Sequence, residues 1–191
     1  MDYFLTEEQV MIKELARKIA IEKILPVRAE YDEKEIFPRE IVKTLGESDL
    51  FGVYIPEEYG GMGYGVFELC LAIEELSRVC GGISLSYAGT ALGTFPILLF
   101  GNEEQKKKYL PPIARGEKIA AFGVTESEAG SDITSLATTA KREGDHYILN
   151  GTKQWITNGG EAETYVVIAT TDRTKGARGS TAFILEKGME G

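Results

Sequence analysis

The sequence has 191 residues, enough for one generous domain or two small ones with a real hydrophobic core. Hydrophobic residues make up 43% and charged residues 27%, the balance of an ordinary soluble globular protein. The net charge of −9 repels nucleic-acid phosphates and anionic membrane surfaces, so neither is an expected partner.

Asp2, Glu7 and Glu8 break up the start of the chain before an apolar run develops. No signal peptide is expected, and the default location is cytoplasmic. Thr6-Glu7-Glu8-Gln9 has the form of a capping box, and Ile12, Leu15, Ala16 and Ile19 follow at helical spacing. A first helix is predicted to about Lys23, stopping before Pro26. Residues 31–37 read as a polar connection, and Pro38 suits the first turn of a shorter helix carrying Ile41, Val42 and Leu45.

A short apolar run from Phe51 to Tyr54 precedes a Gly-rich segment, residues 59–65. No Gly-Lys-Ser/Thr follows it, so a tight turn against the helices is favoured over a phosphate loop. Val66, Leu69, Cys70, Ile73, Leu76 and Cys80 form a helical stripe, with Glu68, Glu74, Glu75 and Arg78 mostly off it. Two cysteines on one helix, ten residues apart, would be separated by about 15 Å, too far for a disulfide. They are read as small buried apolar side chains. One histidine and no cysteine cluster argue against a structural zinc site.

The segment from Ile83 to Phe100 is apolar nearly all round and is predicted to be the central helix. Its Ser, Thr and Gly positions and Pro96 dilute the hydropathy of a membrane span. Asn102-Glu103-Glu104-Gln105 repeats the capping box and opens a basic helix predicted to end near Pro111 and Pro112.

After Gly116 the pattern changes to β. Strands are predicted over 119–124, over 147–149 leading into an Asn150-Gly151 hairpin and 152–157, and over 165–170 and 181–185. The fold class is therefore α+β: an all-helical domain, residues 1–118, joined to an antiparallel β domain, residues 119–191. His146 reads as a surface or strand residue and Asp132 as a turn cap.

Two stretches carry chemistry. Gly123-Val124-Thr125-Glu126-Ser127-Glu128-Ala129-Gly130-Ser131-Asp132 and Lys153-Gln154-Trp155-Ile156-Thr157-Asn158 set small residues and hydroxyls beside β-type apolar residues. Small residues let amides approach a ligand, hydroxyls swing to meet acceptors, and an indole offers a flat apolar face. Together they read as a seat for a large, flat, phosphate-bearing cofactor. Glu126 and Glu128 do not make an acid–base pair. Singly, Thr125 and Thr157 would be strand residues with satisfied hydroxyls, and Trp155 would be core.

The pattern Gly123-Val124-Thr125-Glu126-x-x-Ala129-Gly130-Ser131-Asp132-x-x-Ser135, followed by Trp155-Ile156-Thr157-Asn158, resembles the signature of the acyl-CoA dehydrogenase family of flavoenzymes. The resemblance runs along the whole chain. Members often have Pro where this chain has Ser127, which implies a less stiff loop. The resemblance implies FAD as cofactor, with Phe122, Val124, Thr125, Gly130 and Ser131 lining the flavin or its diphosphate, and Trp155 and Thr157 beside the ring near N5. It implies an acyl-CoA substrate, desaturated between Cα and Cβ, with Leu85, Ala88, Gly89, Leu92 and Ser131 on the substrate side. Ser84-Leu85-Ser86-Tyr87 is similar to members that handle short or branched acyl groups. Electron-transferring flavoprotein is the implied electron acceptor, fatty acid metabolism the setting, and a homotetramer the assembly of a full-length member.

Family members continue with the rest of the β domain and a C-terminal helical bundle that carries the catalytic carboxylate. No residue of this chain matches that base, so no catalytic residue is assigned here and these 191 residues alone are expected to be inactive. Residues 187–191 read as an interrupted turn. The alternatives are a non-catalytic binding or assembly module that keeps the fold, and an acyl-CoA oxidase-like flavoenzyme.

Overall fold

A computed structural model describes residues 4–190. The outermost ends of the two expected domains, residues 1–3 and 191, lie outside the described residues, as does the last residue of the expected 187–191 turn.

Helix α1 spans Glu7–Ile19 and continues as one wider π turn, Ala20–Ile24. Its start is the expected capping box: Thr6 Oγ1 accepts from the Gln9 amide at 3.3 Å, and Gln9 Oε1 accepts from the Thr6 amide at 3.0 Å. A short helix, α2 (Arg28–Glu33), occupies part of the stretch expected to be a connection. It buries no residue, so it has no apolar period by which a sequence pattern could reveal it. Helix α3 (Arg39–Glu47) starts at Pro38 and buries Ile41, Val42 and Leu45.

The Gly-rich loop is a tight turn. The amides of Met62, Gly63 and Tyr64 donate to Gly52 O, Ile55 O and Val53 O at 2.8–3.1 Å. Those donors are committed to backbone carbonyls and cannot cradle a phosphate.

Helix α4 (Val66–Ser77) departs from the expected stripe. It buries Leu69, Leu71, Ala72, Glu75 and Leu76, while Val66 and Cys70 are exposed. The helix packs against both α1 and α5 (Gly81–Phe100), so two of its faces are covered. Glu75, 1% exposed, is neutralised by Arg17 at 3.0 Å, Arg78 at 3.3 Å and Lys13 at 3.5 Å. Burial acts to raise its pKa, but the hydrogen bond from Arg17 and the three cations outweigh burial and leave it lowered. Cys80 is not on α4; it stands at the start of α5 and is half-buried.

Helix α5 is the central helix. Tyr87, Ala91 and Ile97 are buried, and the Tyr87 hydroxyl donates to Leu50 O at 2.8 Å. It is long and apolar enough to cross a membrane, yet more than half of its most apolar stretch is buried inside the protein. One face stays open, with Leu85, Leu92 and Leu99 exposed. Helix α6 (Glu103–Ala114) begins at the expected Asn102–Gln105 capping box but runs through Pro111 and Pro112 rather than ending there. The prolines remove donors to the carbonyls of Lys107 and Lys108, residues on the exposed side, while Leu110 and Ile113 are fully buried and hold the last turn.

The sheet is mixed rather than antiparallel. Strand β4 (Thr164–Thr170) is central; β5 (Ser180–Glu186) pairs antiparallel along one edge. On the other edge, β1 (Ala120–Gly123) lies parallel to residues 164–167 of β4, and β2 (Thr139–Glu143) meets it in parallel only at Thr170. The parallel pairing follows from the crossover: the chain leaves β1 and returns to β4 after building β2 and β3 (His146–Asn150). The β2–β3 hairpin turns at Gly144-Asp145. Asn150-Gly151 is not a turn, and 152–157 is not a strand. A side chain at 151 would collide with Thr138, so the glycine is there for close approach, not reversal.

Helix α5 meets the sheet at Gly93, where a Cβ would stand 2.8 Å from the Ala121 amide nitrogen. This close approach sets α5 against β1 and positions everything that follows.

Candidate functional site

The gap between the end of β1 at Gly123 and the start of β2 at Thr139, along one edge of β4, is where the first motif leaves the sheet. The second motif runs beside it: the Gln154 amide donates to Thr125 O at 2.8 Å. A cleft of about 290 Å³ opens where the two motifs meet α5. It is lined by Gly89, Leu92, Phe122, Val124, Thr125, Trp155, Ile156 and Thr157.

The structure thus brings together five of the seven expected cofactor residues and two of the expected substrate residues, Gly89 and Leu92. Leu85 and Ala88 lie outside the cleft lining, one turn earlier on the same side of α5, exposed and half-buried respectively. Gly130 and Ser131 also lie outside it, on an exposed loop. In that loop Ala129 is buried, and its amide closes a turn with Glu126 O at 3.3 Å. Among the described residues, the Gly130 and Ser131 amides and the Ser131 hydroxyl have no protein partner. Asp132 caps the turn, accepting from the Thr134 amide at 3.0 Å and the Ser135 hydroxyl at 2.8 Å. His146 is an exposed strand residue.

The lining differs from ordinary packed structure in two ways. Thr90 and Thr94 on α5 each satisfy their hydroxyls on helix carbonyls, but the Thr125 and Thr157 hydroxyls have no protein partner among the described residues. Trp155 is 86% exposed and holds a left-handed backbone, φ 57°. A bulky residue with positive φ costs backbone energy, and an indole in water forgoes burial. Unpartnered donors around an open aromatic face fit a flat, heteroatom-rimmed ring.

Two features of the site escape a reading by sequence. The first is Glu126, 7% exposed, which accepts from Lys153 Nζ at 2.6 Å, the Ala137 amide at 2.6 Å, the Thr138 amide at 3.0 Å and the Thr138 hydroxyl. Burial alone would raise its pKa; Lys153, Thr138 and the two amides reverse that and lower it to about 2. Lys153 Nζ also donates to Val124 O at 2.9 Å. One ion pair therefore clips the two motifs together and closes the base of the 127–136 loop. The second is Asn158, which anchors the end of the second motif on α5. The only signal for either was its place inside a motif.

Two family models together match nearly the whole chain. Residues 6–117 match the acyl-CoA dehydrogenase N-terminal domain and residues 121–191 the acyl-CoA dehydrogenase middle domain. The chain belongs to the acyl-CoA dehydrogenase family. It is 50% identical to the short-chain specific acyl-CoA dehydrogenase of Clostridium acetobutylicum over all of this chain and 51% of that protein. Butyryl-CoA dehydrogenase from Megasphaera elsdenii superposes with a TM-score of 0.95 at 41% identity, over 100% of this chain and 51% of that one. An acyl-CoA dehydrogenase from Bacillus anthracis, solved in complex with FAD, gives a TM-score of 0.86 at 41% identity, over 96% of this chain and 32% of that one. The chain spans about half the length of the curated acyl-CoA dehydrogenases it matches.

Proposed function

We propose that these residues form the flavin-holding half of an acyl-CoA dehydrogenase acting on a short or branched acyl-CoA thioester. The observation that carries this reading is the cleft that joins Gly89 and Leu92 of α5 to Val124, Thr125, Trp155 and Thr157, with two unpartnered hydroxyls and an exposed indole. FAD bound there would supply a hydride acceptor at N5.

The work of the chain is to hold and orient. Trp155 and Phe122 would offer apolar surface to the ring. The hydroxyls of Thr125 and Thr157 and the Val124 amide would give the ring fixed donors, which favour its more negative, reduced form. Gly130 and Ser131 would offer amides and a hydroxyl to the diphosphate, and Ser131 would also meet the substrate. Leu85, Ala88, Gly89 and Leu92 would wall the acyl chain and restrict how it lies in the cleft.

Among the described residues no carboxylate lines the cleft, and Glu126 is committed to Lys153. The base that removes the α proton is assigned to the C-terminal helical part of the family. Residues 1–118 and 119–191 act as a helical domain and a flavin-binding β domain. A cytoplasmic homotetramer serving fatty acid metabolism and passing its electrons to an electron-transferring flavoprotein completes the reading.

The test is an anaerobic titration of the complete polypeptide, reconstituted with FAD, against short, branched and medium acyl-CoA thioesters. Bleaching of the oxidised flavin band is expected with at least one short or branched thioester. A bound flavin that none of them bleaches would refute the reading. Fast reoxidation by air in place of transfer to an electron-transferring flavoprotein would assign an oxidase.

A further inference from the structure

Asn158 is 5% exposed, and its backbone is left-handed at φ 64°. Its side-chain nitrogen donates to Ser86 O at 3.0 Å and lies 3.1 Å from Thr90 Oγ1, both on α5, and donates to Ala120 O on β1 at 3.0 Å. Carbonyl oxygens only accept, so the amide nitrogen must be the atom that faces them. This orientation leaves Oδ1 buried without a partner among the described residues. An orphaned buried acceptor is costly, so the two donors must repay it.

Three residues away, Trp155 is held in its own left-handed conformation, and between them Thr157 rests on α5. A Cβ at Gly89 would stand 2.5 Å from Thr157 Cγ2. The threonine methyl is thus packed onto the helix backbone, and the hydroxyl takes one of the other two staggered positions. The segment from 155 to 158 has no strand ladder to define it. Ile156 packs against the hydrophobic core, and the polar link to α5 and β1 is the Asn158 amide, beside the Thr157–Gly89 contact.

We propose that Asn158 is a positioning residue for the flavin seat: its amide clamps the second motif to α5 and β1, and so fixes where the Thr157 hydroxyl and Trp155 indole meet the ring. The inference rests on the flavin reading above. Asparagine suits the position doubly, because it tolerates the left-handed region and carries two donors at short reach. Glycine supplies only the first property and alanine neither.

The experiment uses the complete polypeptide and reads FAD affinity, the flavin absorption band and the midpoint potential, without substrate. Asn158→Ala and Asn158→Gly are both expected to shift the band and the potential and to weaken FAD retention by about tenfold, the order expected when one buried donor is misplaced. Gly89→Ala leaves Asn158 intact and favours the helix, yet pushes Thr157 from the opposite side; it is expected to give the same signature. Restoration of the wild-type band and potential by Asn158→Gly would overturn the proposal, because backbone conformation alone would then suffice. A lowered melting temperature with unchanged flavin properties would overturn it too, by showing a purely structural role. Should the Asn158 variants not fold, an unchanged potential in Gly89→Ala decides against it. A wild-type protein that binds no FAD would instead strike the reading on which the proposal rests.

Discussion

Replacing Glu126 by glutamine tests whether one buried ion pair holds the two motifs in register. Glutamine keeps the shape but removes the charge, leaving Lys153 nearly buried without its counter-ion and setting an NH2 against amide and hydroxyl donors. Breaking a buried pair from one side costs about 3–5 kcal/mol. The lowered pKa of the same carboxyl gives a figure of the same order. A carboxyl held at about 2 in the folded protein, against an ordinary 4.5, contributes about 3 kcal/mol of stability. Because the folded pKa is depressed, that contribution is complete above about pH 4.5 and is lost as pH falls toward 2. Denaturant unfolding of wild type and Glu126→Gln should therefore differ by about 3 kcal/mol at pH 7, with the difference shrinking steadily below pH 5. Adding Lys153→Met to Glu126→Gln should restore part of the loss, since no orphan charge remains. A difference below about 1 kcal/mol, or one that does not change with pH, would refute the reasoning.

Three other perturbations probe separate links. Thr157→Ala removes an unpartnered donor from the cleft and should lower FAD retention, or raise the energy of the reduced flavin, by about 1–3 kcal/mol; flavin content and redox potential are the measurements. Gly93→Ala should destabilise by about 1–3 kcal/mol despite better helix propensity, because the methyl meets the β1 backbone; thermal denaturation reads this directly. Tyr87→Phe strands Leu50 O inside the core and should cost about 1–2 kcal/mol in chemical denaturation, with little change in the flavin spectrum.

The parts legible in the sequence were those governed by neighbours a few residues apart. Both capping boxes formed as expected, since a hydroxyl or amide needs only the backbone three residues on. The central helix was equally plain, because apolar residues on nearly every face leave it nowhere to go but the interior. A helix without buried residues, α2, gave no periodic signal, and in α4 the covered faces depended on which helices arrived beside it. Asn150-Gly151 misled because a glycine required for close approach is written with the same letter as one required for a turn.

The site divides along the same line. Sequence by itself determined the chemical inventory: two threonines, an indole, and small residues grouped in two short motifs. Only the tertiary structure decided that these motifs meet, that β1 lies parallel to β4, and that Glu126 and Asn158 hold the arrangement. Glu126 finds Lys153 across 27 residues, and Asn158 finds Ser86 across 72. Which side chain completes a buried carboxylate or a buried amide depends on the close packing of whole elements, and such packing is set by distance in space rather than distance along the chain.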